Sequence, residues 1–435
     1  MRGNVNDNRR YKERSENRMN HFRKLTAGLL SLAMLFGITA CSMPKTGDNS
    51  AEQSAETTTT TTTEATTATT APPPPPPDIR VNMLAVGDNL VQTKVYEAAQ
   101  AAATGGEKYN FAPLYENVKS YVQAADVAVI NQETLICGGD YEITGSKLNF
   151  NSPVELGDAM VELGFDVFTL ANNHMLDKRI DGLESSINYW DGMMDKYPIL
   201  ALGAYRDEAD QNRIRTQEVN GMTIAYLAYT EHLNGYSIPA NSSVKVGMTA
   251  DVALIQRQIA EAKEIADAVV VAAHWGNEDT HVIRQDVKDL AQNMIEWGAD
   301  VVLGSHPHTA QSMEYITRRD GSQGFVYYSL GNFISAQTDN FNVVGEMGTF
   351  DLVKNGETGK VTVENVGCVP VITHYDAGYA NLRLYPYDKY TAQLASAHAL
   401  PYTHAYPEKA KDFGMNVIDR IIESNIPEEF RRLAG

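Results

Sequence analysis

The sequence predicts an α/β fold for everything beyond Asp78, on three observations. Short β-branched runs at 81–86, 127–131, 167–171, 224–228, 269–273, 301–304 and 326–330 alternate with stretches of helical periodicity. Polar residues with ligand chemistry stand directly after five of those runs. A chain this long holds ample apolar residues, 43% of the total, to bury one large core.

The first run ends in Val86-Gly87-Asp88 and the second in Asn131-Gln132-Glu133. A helix is predicted to open at Ser152-Pro153, Ser serving as N-cap and Pro in the first turn. The third run passes into Asn172-Asn173-His174. Helical patterns over about 251–266 and 284–297 flank a run that ends at His274, and Gly304-Ser305-His306-Pro307-His308 follows the next. After Val366 the pattern loses regularity, and a helical tail is predicted from about Glu408 to Ala434.

The N-terminal part cannot fold. Basic residues ending in Arg23-Lys24 precede an apolar stretch, 25–40, too short to span a bilayer comfortably, which reads as a signal peptide. Its end, Ile38-Thr39-Ala40-Cys41, resembles a bacterial lipobox, in which the Cys is diacylated and becomes the new N-terminus. A Thr-rich stretch with an unbroken Thr run at 57–63 and a Pro run at 72–77 follows: a flexible segment, then a stiff polyproline II spacer. The expected organisation is a lipoprotein signal peptide (1–40), the lipidated Cys41 with a disordered tether (41–77), a folded domain (78–375) and a C-terminal helical extension packed on it (376–435). Met19 would make a more ordinary start than Met1.

Charge and cysteines exclude several functions. The net charge is −19, and the first 40 residues carry 8 basic and 3 acidic side chains, so a chain beginning at Cys41 carries −24. Such a field repels nucleic acid and anionic lipid headgroups. A polyanionic substrate needs a local positive centre. Beyond Cys41 only Cys137 and Cys368 remain, which rules out a disulfide scaffold and a thiolate zinc cluster. The two either pair or stay as buried thiols.

In an open α/β sheet the carboxyl ends of strands line the ligand crevice, so the polar strand ends converge although they are distant in sequence. Taken singly each has an ordinary explanation: Gly-Asp is a turn signal, and Asn tolerates turn conformations. His306-Pro307-His308 is the strongest, because an extended backbone sets side chains two apart on one side. The joint order predicts a metal site of N and O ligands.

Gly87-Asp88, Asn131-x-Glu133, Ala171-Asn172-Asn173-His174-x-x-Asp177, His274-Trp275-Gly276-x-Glu278, Gly304-x-His306-Pro307-His308 and Tyr328-Ser329-Leu330-Gly331-Asn332-Phe333 together resemble the successive motifs of the CapA family of poly-γ-glutamate capsule proteins. That resemblance, over roughly 81–334, implies a layered α/β fold similar to the calcineurin-like metallophosphoesterases. It implies that Asp88 and His308 hold one metal and Asn173, His274 and His306 another, with Glu133 between them. His174 stands where a leaving group is protonated, with Asp177 to orient it, and Glu278 and Asn332 support the ligands. The ions implied are one or two of Mn, Fe or Zn. The chain departs from the phosphoesterase pattern at Leu90, where a His is expected, and at Glu133, where an Asp is expected.

The function implied is a surface-anchored capsule protein, held to the outer face of the membrane by its lipid. It would handle an anionic polymer such as poly-γ-glutamate, beside a membrane polyglutamate synthetase complex, by metal-assisted hydrolysis or transfer. A non-catalytic assembly or anchoring subunit and an extracytoplasmic metallophosphoesterase remain the alternatives.

Overall fold

The computed structural model describes residues 75–138, 141–146, 148–403 and 410–433. The signal peptide, Cys41 and the tether up to residue 74 lie outside the described residues. Among the described residues no helix is long and apolar enough to cross a membrane.

Counting strands of the two main sheets and helices of eight residues or more, the chain runs β1 (Ile79–Asn89), α1 (Thr93–Ala101), β2 (Val127–Asn131), α2 (Val154–Leu163), β3 (Val167–Thr169), α3 (Arg179–Lys196), β4 (Leu200–Leu202), β5 (Arg215–Val219) and β6 (Met222–Thr230). It continues through α4 (Val252–Ile265), β7 (Ala268–His274), α5 (Gln285–Trp297), β8 (Val301–Ser305), β9 (Met313–Thr317), β10 (Gln323–Tyr327), β11 (Asn332–Ile334), β12 (Val344–Lys354), β13 (Val361–His374), β14 (Arg383–Pro386) and α6 (Met415–Asn425). The predicted α/β class is the one found.

Sheet one has the order β14-β13-β12-β1-β2-β3-β4, with β11 paired to the end of β1. Its β1 to β4 half is parallel and its β12 to β14 half antiparallel. Sheet two has the order β9-β10-β8-β7-β6-β5, parallel in the middle and antiparallel at both edges.

Period-two alternation shows how the layers pack. On one face of sheet two, Ile224, Tyr226, Ala228, Val270, Val301, Leu303, Phe325 and Tyr327 join the large core shared with sheet one. The intervening Ala225, Leu227, Val269, Val271, Val302 and Val326 pack instead on Ile255, Ile259 and Ala262 of α4 and Val287, Ala291 and Met294 of α5. Both faces are apolar, so these strands read as continuous β-branched runs. Each fully buried aliphatic side chain contributes about 1.5–3 kcal/mol.

The ends of β1 and β8 both pack closely on residues 328–331, the segment that leads from β10 of sheet two to β11 of sheet one, and glycine permits it. A Cβ on Gly87 would lie 1.9 Å from the Gly331 carbonyl oxygen, and one on Gly304 2.0 Å from that of Tyr328. The Asp88 N–H donates to the same Gly331 carbonyl at 2.9 Å.

Several expectations are corrected. Pro153 rather than Ser152 occupies the N-cap of α2, which therefore lacks a side-chain cap; the Ser152 hydroxyl is engaged with Thr134 at 2.8 Å. The segment 376–435 is not wholly helical: after a 3-10 turn at Ala377–Tyr379 it contributes β14, an edge strand of sheet one, before α6. The run at 326–330 leaves the strand at Tyr327. Cys137 and Cys368 are both buried free thiols.

Candidate metal centre

Five strand ends deliver the predicted ligands to one place. Asp88 is the last but one residue of β1, Glu133 lies two residues past β2, Asn173 and His174 follow β3, His274 ends β7, and His306 and His308 follow β8. All are buried, Asp88, Glu133 and Asn173 completely.

Two clusters of atoms share Glu133. In the first, ligand atoms of Asp88, Glu133 and His308 lie within 4.8 Å of one another. His308 Nδ1 is 3.0 Å from Asp88 Oδ2 and 3.1 Å from Asn332 Oδ1, so that nitrogen carries the proton and Nε2 faces Glu133 Oε1 at 3.7 Å. Asn332 thus positions His308. Asn131 Nδ2 donates to Asp88 Oδ1 at 2.7 Å, and the His306 backbone N–H donates to Oδ2 at 3.2 Å. In the second cluster, His274 Nε2 is 3.1 Å from Asn173 Oδ1 and 3.1 Å from His306 Nδ1, and 3.8 Å from Glu133 Oε1. Ser305 Oγ, 2.9 Å from His274 Nδ1, fixes the other side of that ring.

His174 is placed beside both. Its Nδ1 is 2.8 Å from Asp177 Oδ2, which also accepts the Phe150 N–H at 2.8 Å, and its Nε2 is 3.7 Å from Glu133 Oε1. The dyad forms in a turn, since α3 starts only at Arg179; the Asp177 N–H donates to the His174 carbonyl at 3.1 Å.

The His306-Pro307-His308 backbone is not extended. Both histidines have positive φ, 100° and 58°, in a bend that brings the rings to 6.0 Å between centroids. Such conformations cost of order 1–3 kcal/mol each and persist where the surroundings over-determine them. Glu278, expected near His274, is exposed and makes no hydrogen bond to it. Glu231 takes the local acidic role, accepting the Gly276 N–H at 2.9 Å and pairing with Arg284 at 2.8 Å. Leu90, where the phosphoesterase pattern has His, is 2% exposed and part of the apolar interior.

Two residues escaped the sequence reading. His232 Nε2 is 3.3 Å from His306 Nε2, and Asn234 Nδ2 is 3.4 Å from His174 Nδ1. Both follow β6, whose run at 224–228 was visible; the rule that found the other ligands, polar residues just beyond a strand, also points here.

The electrostatics are those of a cation site. Glu133 has both carboxylate oxygens buried without a hydrogen-bond partner. Burial and then the neighbouring Asp88 push its carboxyl well above the usual range. Burial and the surrounding imidazoles hold His274 and His306 well below theirs, leaving neutral rings with lone pairs to give. Burial alone would lower His308, but Glu133 and the hydrogen-bonded Asp88 raise it to about 10. Two buried carboxylates, three imidazoles and an amide oxygen around unpartnered oxygens fit a divalent cation of N/O preference.

Residues 82–337 match the family model described as bacterial capsule synthesis protein PGA_cap. The chain is 30% identical over 266 residues to the "Capsule biosynthesis protein CapA" of Bacillus anthracis, covering 59% of this chain and 60% of that protein. It is 29% identical over 252 residues to the "PGA biosynthesis protein CapA" of Bacillus subtilis (strain 168), covering 58% and 63%. The chain therefore spans about three fifths of these curated relatives. Among solved structures, a putative 5'-nucleotidase from Staphylococcus aureus is similar with a TM-score of 0.41 and 16% identity, over 79% of this chain and 58% of that one. A phosphatase of Mycoplasma pneumoniae is similar with a TM-score of 0.38 and 12% identity, over 67% and 94%.

Proposed function

Because the chain belongs to the bacterial capsule synthesis protein family PGA_cap, we propose that it is a lipid-anchored cell-surface protein that cleaves or transfers γ-linked glutamate polymer at the Glu133 centre. One observation carries this reading: five donor side chains from four strand ends surround the Glu133 carboxylate, whose buried oxygens have no partner. A centre of that kind, in a domain of strongly acidic charge, supplies the local positive potential that a polyanion needs.

Asp88, Glu133 and His308 would hold one cation of the Mn, Fe or Zn class, and Asn173, His274 and His306 a second. When bound, such a cation supplies an electrophile for an amide carbonyl or phosphoryl oxygen. The residues around it set the rest. His174, held by Asp177 through Nδ1, presents Nε2 to the centre and would pass a proton to the leaving nitrogen as the carbon–nitrogen bond breaks, while water in hydrolysis, or an acceptor amine in transfer, bonds to the carbonyl carbon and releases a proton. Asn332 and Ser305 keep His308 and His274 in one orientation each. Cys41 carries the lipid, and the tether separates the domain from the membrane, beside the synthetase that makes the polymer.

The test pairs His174→Ala with His308→Ala and measures metal content, hydrolysis of γ-glutamyl and phosphodiester substrates, and capsule retention. The expected result for His174→Ala is retained metal with turnover down roughly 10²- to 10⁴-fold and the capsule phenotype lost. His308→Ala loses metal and turnover together. If His174→Ala keeps metal and capsule phenotype alike, catalysis is abandoned in favour of an assembly subunit, the reading that the buried Leu90 favours. Phosphodiester turnover alone would favour a phosphoesterase. For the anchor, Cys41→Ala releases the protein from the membrane fraction; retention there overturns the lipoprotein assignment.

A further inference from the structure

Arg179 breaks three local rules at once. It is the first residue of α3, where the helix dipole disfavours a cation, and its φ is 62°, a region that Asn, Asp and Gly tolerate better. Among the described residues no carboxylate forms an ion pair with it. Its guanidinium instead lies over the Tyr236 ring, 4.0 Å from the centroid. Violations of this kind concentrate at functional positions.

Both sides of that contact are tied to the centre. Tyr236 stands two residues after Asn234, which accepts from Asn173 Nδ2 at 3.3 Å and lies 3.4 Å from His174 Nδ1. Two residues span at most about 7 Å. Arg179 stands two residues after Asp177, which holds His174. The loop 231–236 thus has its inner end, His232 and Asn234, against ligands and the proton donor, and its outer end bracing a cation. The other basic groups nearby are engaged: Arg284 pairs with Glu231 and Asp286, and Lys178 donates to Asn149 at 2.7 Å.

We propose that Arg179, braced on Tyr236, is the specificity-determining residue of the centre and receives a free α-carboxylate of a γ-linked glutamate chain. This rests on the polymer reading above. A planar, bidentate donor on an aromatic face suits a carboxylate, and it sits on a protein whose overall charge repels one.

The test uses the full-length chain in detergent, loaded with Mn²⁺, and equilibrium binding of a synthetic γ-linked glutamate hexamer and of its α-methyl ester. Arg179→Gln is expected to weaken hexamer binding about tenfold and flatten its salt dependence, with ester binding and metal content unchanged. Arg179→Lys keeps the charge and loses about threefold, and Tyr236→Leu, which removes the brace, falls between. Hexamer binding by Arg179→Gln within twofold of the unsubstituted chain, or equal loss for acid and ester, overturns the inference while leaving the function untouched. An unsubstituted chain that binds both probes alike also overturns the inference alone, and one that binds neither overturns the polymer reading together with it.

Discussion

The molecule buries two groups of histidines, and they differ in what their nitrogens meet. In the C-terminal group, His398 Nδ1 accepts the Leu400 N–H at 3.0 Å and Nε2 donates to the Thr373 carbonyl at 3.0 Å. His374 contacts the Tyr390 hydroxyl at 3.0 Å and Asp376 at 3.4 Å. Every nitrogen there has a partner within the fold. At the strand ends, by contrast, Ser305 and Asp88 hold one nitrogen each of His274 and His308, while His274 Nε2, His306 Nδ1 and His308 Nε2 face one another or the unpartnered oxygens of Glu133. Burial is the same, 1–3% exposure for His398, His374, His274, His306 and His308. Unsatisfied donor geometry, rather than the presence of histidine, marks the site.

The largest test of that contrast is Glu133→Gln, which keeps the shape and removes the charge. Metal content, read by elemental analysis, should fall at least about tenfold, while the thermal midpoint of the metal-free protein should not fall, because an unpartnered buried charge is costly to keep. Metal retained by Glu133→Gln would erase the distinction. His398→Ala should do the reverse, leaving metal content intact and costing about 2–4 kcal/mol in urea unfolding through a cavity and two lost hydrogen bonds.

Protonation sharpens the same comparison. Burial depresses His398 to about 4, from 6.5 in the unfolded chain. Between those values the unfolded state binds the extra proton, so this contribution to stability is full above pH 6.5 and is lost as pH falls towards 4, by about 3 kcal/mol. Unfolding free energies of the parent and His398→Gln across pH 4–7 should converge at the acid end; parallel curves would show that His398 is not held neutral. The smallest effect belongs to Glu278→Gln: being exposed, it should change metal affinity less than about twofold.

Much of the centre was legible because the parallel strands are apolar on both faces and stop where polar residues begin. Val127–Asn131 and the helical stretch over about 251–266 follow directly from sequence; in the structure Asp251 caps α4, accepting the Leu254 N–H at 3.0 Å. The long antiparallel strands did not show themselves. Gly345, Glu346, Gly348 and Asp351 interrupt the apolar pattern of β12, and Glu346 is buried there with neither oxygen partnered. Arg215–Val219 reads as polar because both its outward Thr216 and Glu218 and its inward Arg215 and Gln217 are, and Leu200–Leu202 is too short to signal. The bend at His306 and His308 depends on contacts made 218 and 220 residues away, on Asp88, which no local pattern encodes.

Strand β1 carries a consequence for how the chain is made. Its antiparallel neighbour pairs Ile79 with Lys354 and Val86 with Met347, so one edge of β1, the first strand among the described residues, stays bare until more than 260 further residues have been synthesised. Loop closure over that distance is slow, and a bare apolar strand edge invites pairing with other chains. The Asp88 carboxylate at its tip stays without His306 and His308 for almost as long. A chain interrupted before residue 344 is therefore expected to lack both a closed first sheet and an assembled centre, and to be cleared or to aggregate.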